Sequence, residues 1–256
     1  MIDPQLQTAL RLKYNPDGSP LRELQMHQLQ ILKAVDDICR RHNLRYWLEG
    51  GTLLGAARHG GFIPWDDDID IDMPLEDLNR FCKIAAEELP YGMVVHTHQS
   101  DPNYYVPIVK VRDTHNKEYE QTDHLDARYR YRGPFIDIFP VEPTIHTLSY
   151  ILLKANNFLL NRLPHGFLKH VAWHAVSAGI SFARAVTPKS APLNPGYAIG
   201  WEFNMPESSI FPLSVIDFEG YTFLAPCNVP DFLTRAFGPD YMMIPPEKSR
   251  ATHYTF

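Results

Sequence analysis

Five aspartates lie within seven residues of this chain, in the stretch GFIPWDDDIDIDM (61–73), beside isoleucines that favour burial. Alternate side chains of a β-strand share a face, so a strand over 68–73 would point Asp68, Asp70 and Asp72 one way and the isoleucines the other. The isoleucines can then pack in a core while the carboxylates meet in a cleft. Clustered carboxylates repel one another unless a cation lies between them. The pattern favours a site for a hard divalent cation such as Mg²⁺ over an exposed acidic loop.

Two further features point to the same site. Gly50 and Gly51 separate a predicted strand from a predicted helix, and the backbone N–H groups of such a turn can bind phosphate oxygens. Asp137 lies within the apolar run FIDIFP (135–140), where a lone carboxylate is costly to bury without a partner. We therefore expect Asp137 on a strand next to the first one, as a third carboxylate. The alternative is a structural aspartate that accepts a hydrogen bond from a turn.

Hydrophobic periodicity predicts the elements that position these residues. Helices are expected over 20–43, 52–60, 74–89 and 227–238, strands over 44–49, 68–73, 91–99, 104–113, 117–123 and 133–143, and a hairpin over 208–226 that turns at Glu219-Gly220. Residues 144–186 carry almost no acids and are predicted to be helical, with interruptions at Pro164 and Gly166. A Pro-rich loop is predicted over 187–202 and an irregular basic tail after 238.

Composition narrows the class of protein. The chain has 256 residues, a net charge of −6 and a pI near 6.0, which argues against a general nucleic-acid binder. Its three cysteines, Cys39, Cys82 and Cys227, form neither a zinc motif nor a disulfide framework. No secretory signal and no apolar run of roughly 20 residues is visible, so we expect a soluble cytoplasmic protein.

The stretch YWLEGGTLLGAARHGGFIPWDDDIDIDM (46–73) closely resembles the signature of the LicD family of phosphotransferases, which includes fukutin and fukutin-related protein. FIDIFPVEP (135–143) is similar to the second acidic strand of that family, and residues 236–253 resemble its C-terminal element. The resemblance implies an α+β fold, with a nucleotidyltransferase-like mixed sheet flanked by helices and a helical insertion. It divides the chain into a core with an N-terminal helix (1–143), a helical insert with the Pro-rich loop (144–200) and a C-terminal part that completes the site (201–256).

The activity implied by the resemblance is transfer of a phospho-alcohol, such as phosphocholine or a phospho-polyol, from a CDP-activated donor to a hydroxyl of a cell-surface glycan or its lipid-linked precursor. Asp68 and Asp70 would bind Mg²⁺ or Mn²⁺, although Asp70 and Asp72 fit the same motif shifted by two residues. Asp137 would bind the metal or take the proton of the acceptor hydroxyl, and Asp66 would assist. Gly50, Gly51 and Thr52 would orient a donor phosphate. The alternatives are a nucleotidyltransferase that releases pyrophosphate and an inert nucleotide-binding module.

Five cationic side chains are candidates for phosphate binding: Arg58, Lys110, Arg112, Lys248 and Arg250. Arg58 can clamp a phosphate with two hydrogen bonds or pair with the clustered aspartates. Lys110 and Arg112 alternate on one strand and share a face, where they contact phosphate or remain solvated. Lys248 and Arg250, with His253, either close over the donor or belong to a basic tail.

Histidines are expected to play no part in metal binding. His96 and His98 share a strand face but lack a third ligand at a suitable spacing, so we expect two ordinary edge histidines. His165, His170 and His174 are expected to be ordinary helix-face residues.

The segment 145–186 is a candidate for peripheral membrane contact. It is apolar and basic, and its cations, Lys154, Arg162, Lys169 and Arg184, suit anionic lipid. The alternative is a set of helices packed on the domain.

Overall fold

A computed structural model describes residues 2–115, 128–164, 166–200 and 203–250 of the chain. The fold is mixed α+β, which confirms the predicted fold class. The strand predicted over 117–123 and the side chains of His165 and His253 lie outside the described residues.

Helices surround the sheet on the described part of the chain. They are α1 (Pro4–Tyr14), α2 (Pro20–His42), α3 (Gly50–His59), α4 (Leu75–Glu88), α5 (His146–Arg162), α6 (Phe167–Val186), α7 (Glu207–Ile210) and α8 (Val229–Phe237), with a 3₁₀ helix at Glu247–Ser249. Local signals set several ends. The Ser19 side chain accepts a hydrogen bond from the backbone N–H of Arg22 at the start of α2, and Asn43 ends that helix in a left-handed conformation (φ 51°).

The strands form one mixed sheet and one hairpin. They are β1 (Trp47–Leu48), β2 (Asp70–Pro74), β3 (Met93–His96), β4 (Val109–Asp113), β5 (Phe135–Pro143), β6 (Leu193–Pro195), β7 (Ser214–Phe218) and β8 (Tyr221–Ala225). The sheet has the order β1-β2-β5-β4-β3, and β6 pairs with the far end of β5. Only the β2–β5 pair is parallel among these described pairings.

The main hydrophobic core lies between the sheet and helices α2, α3, α4 and α8. The isoleucines of the acidic stretch, Ile69 and Ile71, are fully buried in it, and so are Ile136 and Ile138 of β5. This burial confirms the predicted division of β2 and β5 into an apolar face and an acidic face.

Several element boundaries differ from the predictions. Strand β2 begins at Asp70, so Asp68 lies in the loop before it, and β1 has only two residues. The predicted Pro-rich loop contains β6, because Pro195 lies at a sheet edge where a missing N–H group is tolerated. Helix α1, which the sequence analysis did not predict, begins with an Asp3 cap and a proline.

Helices α5 and α6 pack on each other around a second, smaller hydrophobic cluster that includes Leu152, Trp173 and Ile180. Tyr105, from the segment between β3 and β4, joins this cluster and links the helix pair to the sheet. Of the helices described, none combines the length and the apolar character that crossing a bilayer requires.

Candidate active site

The central feature of the site is a row of side chains across the sheet. In register, Asp70 of β2 lies beside Asp137 of β5, and Asp137 lies beside Lys110 of β4. Neighbours in register share a face of the sheet, so the three side chains project together. This confirms the prediction that Asp137 lies on the strand adjacent to the first acidic strand.

Asp70 is the most crowded acid of the row. Burial raises the pKa of its carboxyl well above the usual value, and the negative charges of Asp68, Asp137, Glu49 and Asp66 raise it further, in that order. The repulsion from four carboxylates is the electrostatic condition that a bound cation relieves.

Glu49 is a member of this acidic cluster that the sequence analysis missed. Its side chain is 3% exposed, and burial followed by the charge of Asp68 raises its pKa to about 7. Its backbone N–H donates to the carbonyl of Asp70 (3.1 Å), which holds the start of α3 against β2. The signal was present as a lone acid between an apolar strand and Gly-Gly.

The first turn of α3 approaches the acids closely. A Cβ atom on Gly51 would lie 2.7 Å from Oδ2 of Asp66, and one on Gly50, where φ is +50°, would lie 3.6 Å from Oδ2 of Asp70. Glycine at position 51 therefore allows the helix N-terminus to face the carboxylates, where its dipole favours negative charge. The Thr52 hydroxyl accepts a hydrogen bond from the backbone N–H of Asp70 (2.8 Å). Phosphate binding by these three residues stays a prediction.

Asp72 differs from Asp68 and Asp70 in its surroundings. It is 3% exposed, and Oδ2 accepts a hydrogen bond from the indole N–H of Trp47 (3.0 Å), whereas Asp68 and Asp70 are half-buried. Burial, and then the charge of Glu49, raises the pKa of Asp72 well above its usual value. Asp72 is thus held inside the fold, while Asp68 and Asp70 stay partly accessible to solvent.

The donor atoms present fit a hard divalent cation. Lys110 Nζ donates a hydrogen bond to Asp137 Oδ2 (2.9 Å) and lies 2.7 Å from Oδ1, so both oxygens of this carboxylate lie beside one ammonium group. Carboxylate oxygens of Asp66, Asp67 and Asp68 also lie within 4.8 Å of one another. A set of clustered carboxylate oxygens is the chemistry that Mg²⁺ or Mn²⁺ prefers.

Two of the predicted phosphate-binding arginines are engaged inside the protein. Arg58 is 3% exposed, and its Nη1 donates to the carbonyls of Tyr241 (2.8 Å) and Met243 (3.0 Å). Arg112 is fully buried, and its Nε donates to Nδ1 of His96 (2.9 Å). Burial lowers the pKa of Arg58 to about 10, an effect that the charge of Asp66 opposes. Their contact with a phosphate stays a prediction, and the observed contacts hold the segments around the cleft.

The C-terminal segment reaches the acidic loop through Arg250. Its guanidinium lies 4.4 Å from the ring centre of Trp65, the residue that precedes Asp66, and it contacts the hydroxyl of Tyr14. Lys248 is exposed in the 3₁₀ helix. The segment therefore lies beside the loop that carries the acids, as the prediction of a closing element requires, while the roles of both cations stay predictions.

A separate cleft of about 570 Å³ lies near the ends of β2 and β5, with Pro74, Pro143, Trp47 and Arg184 in its wall. Arg184 forms two hydrogen bonds with Glu142 there (2.7 and 2.8 Å). This cleft is lined by neither Asp70 nor Asp137, so the carboxylate row remains the candidate site.

Comparison with known proteins identifies the class. The family model described as LicD/FKTN/FKRP, nucleotidyltransferase domain, matches residues 43–158, which include both acidic strands. A lipopolysaccharide cholinephosphotransferase, LicD of Haemophilus influenzae, is 29% identical over 91% of this chain and 96% of its own length. Human ribitol 5-phosphate transferase FKRP is 27% identical over 86% of this chain but only 31% of its own length. An uncharacterized protein of Rickettsia prowazekii is 45% identical over 53% of the chain and 58% of its own length.

The fold and the relatives indicate a phosphotransferase. Residues 43–158 match the nucleotidyltransferase domain of the LicD family, and the chain is homologous to the bacterial cholinephosphotransferase and to the human ribitol 5-phosphate transferase. This confirms the resemblance seen in residues 46–73 and 135–143. The chain spans nearly the whole bacterial relative and about a third of the human one.

Proposed function

We propose that this protein transfers a phospho-alcohol, of the phosphocholine or phospho-polyol type, from a CDP-activated donor to a hydroxyl of a glycan or its lipid-linked precursor. The relatives named for transfer of cholinephosphate and of ribitol 5-phosphate support the transferred group. The register that pairs Asp70 with Asp137 is the observation that carries the proposal, because it brings together acids that are 67 positions apart in the chain.

Asp68, Asp70 and Asp137 are proposed to hold Mg²⁺ or Mn²⁺, with Asp66 beside them. Such an ion, when bound, neutralises charge on a donor pyrophosphate and stabilises the leaving nucleotide. The half-buried state of Asp68 and Asp70, against the buried and hydrogen-bonded Asp72, favours the first register of the two that the sequence left open.

The remaining residues of the cleft would orient the reactants. The N-terminus of α3 at Gly50 and Gly51 offers backbone N–H groups to a donor phosphate once a cation has neutralised the neighbouring carboxylates. Lys110 holds Asp137 through its 2.9 Å hydrogen bond and supplies a positive charge to the row. Asp137 either holds the ion or takes the proton of the acceptor hydroxyl.

The test is release of CMP from a panel of CDP-alcohols, such as CDP-choline and CDP-ribitol, with Mg²⁺ or Mn²⁺ and a glycan acceptor. We expect CMP release from one donor class that requires the ion and is lost on chelation. The nucleotidyltransferase alternative predicts pyrophosphate release from an NTP instead. An inert binding module would turn over neither substrate, whether or not it binds nucleotide.

We further propose that α5 and α6 place the site at an anionic membrane surface, where a lipid-linked acceptor would be found. No Asp or Glu occurs from 143 to 201. Eight of the fifteen large hydrophobic side chains that are exposed in the described residues lie on these two helices: Tyr150, Ile151, Phe158, Phe167, Leu168, Val171, Phe182 and Val186. Leu168, Val171, Phe182 and Val186 recur at helical spacing and form one exposed apolar stripe.

Fewer of the basic residues are available for membrane contact than the sequence suggested. Lys154 and Arg162 are exposed, but Lys169 is 1% exposed and donates to the carbonyl of Leu160 (3.0 Å), and Arg184 pairs with Glu142. The expectation that all four cations face lipid is therefore wrong for Lys169, whose ammonium group is used inside the helix pair. Apolar contact should contribute most of the affinity.

Co-sedimentation with vesicles of phosphatidylcholine, with and without phosphatidylglycerol, tests the membrane contact. We expect binding that increases with anionic lipid and falls at least about tenfold in the double variant Leu168→Ser/Phe182→Ser, since two apolar side chains leave the bilayer. Tyr91→Ser is the matched control, because Tyr91 is 95% exposed and lies outside the helix pair. Equal binding of the double variant and wild type would contradict the proposal.

A further inference from the structure

Three histidines from distant parts of the chain converge beside α6. His98 lies just beyond the end of β3, and His170 and His174 lie one turn apart on α6. One ring nitrogen from each of the three residues lies within 4.8 Å of the other two. Spacing along the chain offers His98 no such neighbours, because the two histidines that the fold brings beside it are more than 70 positions away.

We propose that His98, His170 and His174 form a binding site for a transition-metal dication of the zinc type, separate from the carboxylate cleft. Imidazole nitrogens suit Zn²⁺, Cu²⁺ and Ni²⁺, whereas Mg²⁺ prefers oxygen. Three histidines with an open fourth position are a known arrangement for Zn²⁺. His174 is exposed, so an ion and a water ligand can reach the cluster from solvent.

A hydrogen bond prepares His98 for this role. Its Nδ1 lies 3.0 Å from the backbone carbonyl of Tyr104, and because a carbonyl only accepts, Nδ1 carries the proton. The lone pair is then on Nε2, which is free to bind a metal. A histidine ligand whose second nitrogen donates to a carbonyl is the usual outer arrangement of a metal site, because it fixes both tautomer and ring orientation.

The two helix histidines have the spacing and separation of a chelating pair. Residues at i and i+4 lie on the same face of a helix, and Nε2 of His170 lies 3.0 Å from Nε2 of His174. Two nitrogens that bind one tetrahedral zinc ion at about 2.0–2.1 Å lie roughly 3.3–3.4 Å apart. A shift of a few tenths of an ångström would therefore replace the hydrogen bond between the rings with two metal bonds.

The packing around His98 gives the proposed ion a position between two parts of the fold. Its ring centre lies 5.1 Å from that of Trp173 on α6 and 5.3 Å from that of Tyr105. An ion held by all three histidines would fasten α6 to the segment that joins β3 to β4, the strand that carries Lys110. The ion would then stabilise the docking of the helix pair on the sheet.

The experiment uses the full chain stripped of metal, in excess Mg²⁺ to occupy the carboxylate cleft. We expect one equivalent of Zn²⁺ by calorimetry, a rise in Tm, and visible absorption bands of a nitrogen-bound ion when Co²⁺ replaces it. Loss of an outer hydrogen-bond partner already costs 10–100-fold in metal affinity, so loss of a ligand in His98→Ala or His174→Gln should cost more than about 100-fold. His115→Ala, which removes an exposed histidine outside the cluster, should bind as wild type does.

Two comparisons separate this site from the carboxylate cleft and from a folding defect. His174→Gln should keep the metal-free Tm and the CMP release of wild type, because His174 is exposed and outside the proposed catalytic site. Asp70→Asn should keep the zinc affinity. If wild type takes up no zinc, or if His98→Ala and His174→Gln bind it as tightly as His115→Ala, or if Asp70→Asn alone abolishes binding, the proposal is wrong.

Discussion

The strand pair β2–β5 and the helix pair α5–α6 are opposite in how their charged and their apolar side chains are placed. The strand pair buries its isoleucines completely and gathers four carboxylates around Asp70. Its apolar face is therefore packed, while the like charges on its polar face repel one another. The helix pair contains no acid and leaves large apolar side chains in solvent. The first region holds more carboxylates than the single ammonium group of Lys110 can neutralise, and the second lacks an apolar partner. Each deficiency indicates the kind of ligand that the region would take.

The largest effect should come from Asp137→Asn, which removes one oxygen charge from the strand pair. We expect CMP release to fall by at least about 10²–10³-fold, since a charge that organises the reacting phosphate is lost in a water-poor site. The fold should survive, because the substitution keeps the shape of the side chain and lowers the repulsion on Asp70, which offsets part of the cost of removing the charge that faces Lys110. Initial rates at saturating donor and ion, together with Tm, measure both effects.

Asp217→Asn is the matched control for that variant, because Asp217 is an exposed acid of the hairpin. It should retain full activity. Equal activity of Asp137→Asn and Asp217→Asn would show that Asp137 is not part of the active site and would contradict the catalytic role proposed for the strand pair.

The second largest effect should be a gain in stability in Glu49→Gln that depends on pH. The pKa of Glu49 is about 7 in the fold against 4.5 for an ordinary glutamate, so between these values the unfolded chain loses its proton while the folded chain keeps it. The ionisation of Glu49 thus lowers the free energy of unfolding. This loss is absent below about pH 4.5, grows as the pH rises and levels off above about pH 7. In metal-free buffer the variant should gain roughly 3 kcal/mol over wild type at the upper end.

Urea unfolding at several pH values measures this difference. Glu87→Gln, an exposed glutamate of α4, should show no such gain. A gain for Glu49→Gln that stays constant from pH 4.5 to 7 would show that the charge of Glu49 is not what destabilises the metal-free fold. Saturating Mg²⁺ should reduce the gain, because the ion relieves the same repulsion in wild type.

The two regions also differ in how far the sequence predicts them. Alternation of acid and isoleucine predicts β2 and the neighbouring position of Asp137, because a period of two is a local property of the chain. Glu49 could not be assigned to the cluster in the same way. Its position depends on β1, a strand of two residues, and on the hydrogen bond between its backbone and Asp70.

The helix pair was predicted as helices and as a candidate membrane surface, but which of its side chains are exposed was not predicted. Periodicity indicates that 144–186 is helical, but which side of each helix packs is decided by contacts with Tyr105 and Tyr197 from elsewhere in the chain. For that reason Lys169, one of the four cations considered for contact with anionic lipid, is buried instead. The cluster of His98 with two histidines of α6 depends on the same long-range docking, and the sequence signals only the i, i+4 spacing of His170 and His174.

The third effect is the loss of the hydrogen bond to Asp72 in Trp47→Phe. Within the described residues, Asp72 Oδ1 has no partner and Oδ2 accepts from Trp47 (3.0 Å), so the variant leaves a buried carboxylate unsatisfied. We expect a cost of about 1–3 kcal/mol from this bond, in addition to the cost of the lost volume. A double-mutant cycle with Asp72→Leu, which has no acceptor oxygen, isolates the hydrogen bond. A coupling energy near zero would mean that packing alone explains the loss.

The smallest effect on folding should come from Phe182→Ser in the exposed stripe of α6. Its side chain is 64% exposed, so the change should alter the free energy of unfolding by no more than about 0.5 kcal/mol. Ile180→Ala, two residues away and buried in the small cluster, should cost about 2–5 kcal/mol. If both variants lose similar stability in urea unfolding, Phe182 is packed in solution and the stripe is not free to meet a membrane. If only Ile180→Ala is destabilised, the large apolar side chains of α6 serve something other than the fold, which is what the contrast with the strand pair requires.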